Sequence, residues 1–166
     1  ETLTEPDALV FSGPVTATDV VCFGESNGTI TVAGASGGVG GTGVTTSLSY
    51  GYIESTTASG TPAASAFSFS ENSDTVGIIF TGVNENTAST ESYYVDVQDA
   101  NVCVTPFGSP VRINSPAADI AISSFTRINP STISGIDGSI DVTGVSGGNS
   151  SSYSFNWINA SNTQWS

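Results

Sequence analysis

The chain has 166 residues, with 15 acidic side chains against 2 basic ones, a formal net charge of −13 and an isoelectric point near 4.1. It holds no His, Met or Lys, so His-dependent triads, His metal sites, Schiff-base lysines and lysine isopeptide cross-links lack the side chains they require. The cations Arg112 and Arg127 cannot form a basic patch, and a charge of this sign repels phosphate backbones and anionic lipid, so no nucleic acid partner is expected.

At 37% hydrophobic and 10% charged residues the composition is that of a chain that folds. No apolar run approaches the roughly 20 residues that span a bilayer, and no membrane insertion is expected. The opening ETLTEP has neither the basic nor the apolar region of a signal peptide. A signal is expected to have been removed, or the chain to be an internal piece of a longer one.

Short alternating runs rich in Thr, Val, Ile and aromatics, bounded by Gly, Asn, Asp and Ser clusters, predict an all-β fold. In chain order the predicted strands are 9–18, 29–35, 47–53, 66–70, 75–83, 93–98 and 102–113. The small-residue stretches 37–46 and 55–65 read as long loops.

Laid on itself, the sequence repeats. NGTITVAGASGG at 27–38 aligns with DGSIDVTGVSGG at 137–148, an offset of 110 residues that also places Pro6 on Pro116 and Thr16 on Thr126. Gly28, Ile30, Val32, Gly34 and Ser36 are identical in the second copy, whereas the residues between them change. Identity at every second position is what a strand with one core face and one solvent face produces. SLSYGYI at 47–53 aligns with SYSFNWI at 152–158, after a five-residue difference in the preceding Gly-rich loop. ETLTEP matches VRINSP at 111–116, so residues 1–4 read as the last strand of a preceding repeat, 5–114 as a complete repeat, and 115–166 as an incomplete following one.

These residues resemble the SprB repeat, found in giant cell-surface adhesins of gliding Bacteroidota. Asp19, Val20, Cys22 and Gly24 match the family's D-V-x-C-x-G start, and Asn27 and Gly28 its N/D-G turn. Tyr93, Val95, Val97, Asp99, Ala100, Asn101 and Cys103 match its Y-x-V-x-V-x-D-A-N-G-C close. Val102 departs from the usual Gly, Tyr52 stands where the family has Trp, and Thr132 replaces Cys22 in the second copy. The resemblance implies an extracellular protein at the bacterial cell surface, exported by type IX secretion and associated with gliding motility.

Candidate chemistry is sparse. Cys22 and Cys103 are the only cysteines, and an even count in an exported all-β chain suggests a disulfide between them, in the manner of immunoglobulin-like sandwiches, against the alternative of two buried thiols. Asp96, Asp99 and Asn101 offer oxygen ligands for calcium near one turn, against the reading that Asp99 and Asn101 only cap that turn. No other cofactor is expected. Fifteen carboxylates spread singly give no recognisable acid pair for glycoside hydrolysis, and no enzyme activity is expected. Tyr50, Tyr52, Phe155 and Trp157 read as core aromatics rather than sugar-stacking ones. Asp74-Thr75-Val76 fits the Asp-(Ser/Thr)-apolar pattern that such bacteria O-glycosylate, against the reading that Thr75 only begins a strand.

The reading is a set of tandem immunoglobulin-like β-sandwich repeats forming the stalk and contact module of a long surface adhesin. Expected partners are neighbouring repeats, surface polysaccharide, and other copies joined by strand addition. The alternatives are a carbohydrate-binding or spacer domain of a secreted enzyme, and a subunit of a polymeric surface filament.

Overall fold

The computed structural model describes residues 5–38, 48–56, 77–149 and 152–158, together with the backbone of 68–72. The glycosylation candidate Thr75 and residues 1–4 lie outside the described residues. The described chain is all-β: no helix is present, and eleven strands divide between two compact units, Glu1–Ser115 and Pro116–Ser166.

In the first unit β1 (Val10–Phe11) pairs with β4 (Ala35–Ser36). A three-stranded sheet runs in the order β2 (Val15–Thr18), β3 (Gly28–Val32), β7 (Ile78–Val83). A four-stranded sheet runs β6 (Ser68–Asn72), β5 (Leu48–Ser55), β8 (Ser92–Gln98), β9 (Val104–Pro106). All pairings are antiparallel. Residues from both sheets share one apolar core, with Val15, Ile30, Val32 and Val83 on one side and Leu48, Tyr50, Tyr93, Val95 and Val97 on the other, which is the arrangement of a sandwich.

The predicted strand 9–18 is broken by Ser12-Gly13-Pro14, because Pro14 has no N–H to give a ladder. The predicted strand 29–35 likewise divides at Ala33-Gly34, where Gly34 takes a positive φ of 134°. The predicted strand 102–113 survives as β9 plus a bridge from Val111 to Tyr93.

Alternation along β3 is as the repeat implied: Gly28, Ile30 and Val32 are buried, while Thr29 and Thr31 are half-buried. Burying a side chain such as Ile30 contributes roughly 1.5–3 kcal/mol. Gly28 faces inward for a steric reason, since a Cβ there would sit 2.8 Å from Ile113 Cγ2. Tyr50 is fully buried, and Tyr52 packs edge-on against Phe80 of the facing sheet and against Tyr93, with ring centroids 4.8 and 5.7 Å apart. The core reading of these two tyrosines holds.

The strand registers give the unit two ends. At the head, where the chain enters, Gly38 N–H donates to Asp7 O, and Asp99 follows the end of β8. At the tail, where it leaves, Val20 N–H donates to Asn114 O and Asn86 N–H to Ile113 O, beside the start of β3.

In the second unit β10 (Ala121–Ile128) pairs antiparallel with β11 (Ser139–Ser146). Phe125↔Val142 through Ile128↔Ser139 repeat the partners Val15↔Val32 through Thr18↔Thr29. Ser124 stands where Pro14 does in the first copy, so β10 runs on without a break and absorbs the difference as a bulge between Ile122 and Phe125. The predicted aromatic strand of this copy is not formed: 152–157 lie outside any strand, and Phe155 and Trp157 are exposed, contrary to the core reading. Phe125 and Ile140, whose counterparts Val15 and Ile30 are buried, are exposed as well. The described part of this unit has no second sheet to cover them.

Candidate functional site

The tail end carries the residues of the D-V-x-C-x-G start, and hydrogen bonds explain them. Asp19 Oδ1 accepts from the backbone and side-chain N–H groups of Asn114 at 2.8 and 3.0 Å, tying the β2–β3 loop to the departing chain. Asn27 Oδ1 accepts Val21 N–H at 3.0 Å across that loop, and Glu25 N–H donates to Cys22 O. Asp137 Oδ1 accepts Ser131 N–H at 3.0 Å and Gly135 N–H donates to Thr132 O, so the loop of the second unit closes in the same way. These bonds hold the Asp137 carboxyl below its ordinary value. The Asn or Asp before the glycine thus serves as a side-chain cap on the loop, not as a tight hairpin turn.

Beside this loop lies an open cleft of about 220 Å³, lined by Gly24, Glu25, Ser26, Glu54, Asn84, Glu85 and Thr87. Glu54 Oε1 accepts from Asn86 Nδ2 at 2.7 Å, and Asn86 Oδ1 accepts Ile113 N–H at 2.9 Å. Tyr93 closes the floor with its hydroxyl on Asn84 O at 3.0 Å, and burial together with the Glu54 charge pushes its pKa up to about 12. Arg112 donates to the carbonyls of Ala88, Ser89 and Glu91. Glu91 caps the same turn, its carboxylate accepting from Ala88 N–H and the Thr87 hydroxyl, which lower its pKa. Asn86 and Arg112 escaped the sequence reading because their partners are backbone groups far away in the chain.

At the head, the calcium candidates separate. Asp99 Oδ1 accepts from Asn101 N–H and Cys103 N–H, both at 2.9 Å, and so caps the turn. Asp96 lies on the other face of β8, beneath the surface. It was expected on the solvent face; instead it is 2% exposed, and its Oδ1 has no hydrogen-bond partner among the described residues. Burial pushes its pKa up to about 6. No group of three or more Cys, Asp or Glu side chains among the described residues is placed to hold a metal ion.

Val102 adopts φ 67°, in the left-handed region where the family has glycine. A β-branched residue there costs about 1–2 kcal/mol, part of which glycine's extra backbone freedom offsets. Val102→Gly should therefore raise stability by about 0.5–1 kcal/mol, read as an increase in the urea midpoint at unchanged slope.

Cys22 and Cys103 are free thiols, both exposed, so the expected bond between them is absent. The reason is topological. Cys22 sits in the tail loop and Cys103 at the head turn, with β8 running from Tyr93 near the tail to the Asp99 turn at the head. Six residues of strand span roughly 20 Å, whereas a disulfide needs Cα atoms within about 7 Å.

Capped loops, a repeated hairpin and a shared core define an all-β repeat module whose distinctive residues sit at its two ends. Residues 15–41 match the family model described as the SprB repeat, the family that the motifs resemble. The match covers β2, the capped tail loop, β3 and β4. The SprB repeat is a structural repeat associated with cell-surface proteins. No curated protein and no solved structure matches the chain. Among the described residues no helix is long and apolar enough to cross a membrane.

Proposed function

We propose that the chain is part of a tandem array of immunoglobulin-like repeats that forms the shaft of an extracellular bacterial adhesin, without catalytic activity of its own. The observation that carries this reading is the recurrence of one capped loop and one hairpin register at an offset of 110 residues, over a segment that matches the SprB repeat. Each repeat is a strand-paired unit with its termini at opposite ends, so an array gains reach with every copy. The acidic clefts and loops at the ends are the surfaces left to contact polysaccharide or a substratum. The second unit is the beginning of a further copy, its exposed Phe125 and Ile140 covered by strands equivalent to β5, β7 and β8.

Type IX export and a role in gliding follow from the same family reading. A filament joined by strand addition is the second reading, favoured by the uncovered apolar face of β10 and β11. Deleting the parent gene in its host tests the adhesive role. The reading expects cells that attach and spread poorly on glass and agar, and unchanged attachment and movement would contradict it.

A further inference from the structure

Of the large apolar side chains exposed in the described part of the first unit, Val10, Val21, Phe23, Ile79 and Val102, three flank its two cysteines. Val21 and Phe23 stand on either side of Cys22 at the tail, 68% and 45% exposed, and Val102 precedes Cys103 at the head, 70% exposed. Each end therefore presents an accessible thiol set in apolar surface. Such surface on an otherwise acidic, well-covered unit marks a place of contact. The two ends differ, so a contact that joins one to the other is heterologous and extends head to tail instead of closing on itself. We propose that Cys22 of one copy of the chain and Cys103 of a second copy form a disulfide across a head-to-tail contact, with Val21 and Phe23 packing against Val102 of the other copy.

The chemistry balances with a disulfide oxidant of the glutathione class. The Cys22 thiolate attacks the oxidant and releases one glutathione thiolate; the Cys103 thiolate of the second copy then attacks the mixed disulfide and releases the other. Two protein thiols are oxidised to one disulfide, two glutathione thiols are formed, and the protons pass to the thiols released. Both ends also carry carboxylates, Asp19 and Glu25 at the tail and Asp7 and Asp99 at the head. Their mutual repulsion is screened at about 0.15 M salt, where the Debye length is about 8 Å. Thr132 takes the place of Cys22 in the second unit, so that unit has no thiol at its corresponding loop and cannot make the same link there.

The test uses the purified full chain, its Cys22→Ser and Cys103→Ser variants, and an equimolar mixture of the two, each incubated with oxidised glutathione at 0.15 M salt. Products are read by non-reducing electrophoresis and by mass spectrometry of unreduced peptides. The wild-type chain should give a ladder of covalent oligomers that collapses on reduction, with Cys22 peptides joined to Cys103 peptides. The mixed variants should form a covalent dimer that is lost when either variant is oxidised alone. A wild-type monomer lighter by two hydrogens, thiols that are only capped by glutathione, or single variants that dimerise as well as their mixture would each overturn the proposal.

Discussion

Asp96→Asn should make the protein more stable at pH 8, by up to about 3 kcal/mol, and should flatten its dependence on pH. The carboxyl is buried in β8 without a hydrogen bond to Oδ1 among the described residues, and desolvation raises its pKa from 3.8 to about 6. Folding therefore favours the protonated form. A folded-state pKa above the unfolded one contributes stability that is fully present below about pH 4 and is lost as pH rises through about 6. A tenfold change in proton affinity corresponds to about 1.4 kcal/mol, so the rise from 3.8 to about 6 sets the ceiling on the gain. Between pH 8 and pH 5 the wild-type chain should gain stability on acidification, where the variant should not. Urea titrations at both pH values, followed by the near-ultraviolet dichroism of the tyrosines, measure this. Equal pH slopes in the two proteins would show that the carboxylate is solvated.

The second large effect is expected at a glycine shared by both copies. Gly37 has φ 84°, and a Cβ there would stand 1.9 Å from Ala8 O; Gly147 has φ 81°, and its Cβ would stand 1.8 Å from Asp119 O. In both units the glycine lets the chain that enters lie directly over the end of the hairpin, with Gly38 N–H on Asp7 O and Gly148 N–H on Ala118 O. Gly37→Ala adds left-handed strain of about 1–2 kcal/mol and a backbone collision costing about 1–3 more, a large share of a domain's stability. Two controls separate these causes. Gly24 has φ 73° with nothing within 4 Å of a Cβ, so Gly24→Ala should show the strain alone, about 1–2 kcal/mol. Gly108 has neither constraint, and Gly108→Ala should change stability by well under 1 kcal/mol. Calorimetric melting of the three variants should rank them in that order, and a Gly37→Ala protein melting with the Gly108→Ala protein would refute the assigned role.

What the sequence made legible was what depends on short range. The buried face of β3 shows in Gly28, Ile30 and Val32 because side chains alternate with period 2, and the second copy preserves that face whatever happens on the other. What it hid depends on which strands meet. Pro14 interrupts a strand in one copy, while Ser124 lets the other run on. Asp96 alternates correctly yet is buried, because cover over the outer face is a tertiary matter. Cys22 and Cys103 look like a bonded pair from their placement before an early strand and after a late one. Only the antiparallel path of β8 reveals that they lie at opposite ends. Asn86 and Arg112 hold backbone groups more than 20 residues away, and nothing local announces them.

A surface repeat must be found at the surface. Antibody raised against the folded chain should label intact, unpermeabilised cells of the native host, and brief protease treatment of those cells should remove the label. Labelling that appears only after the cells are permeabilised would contradict a surface repeat.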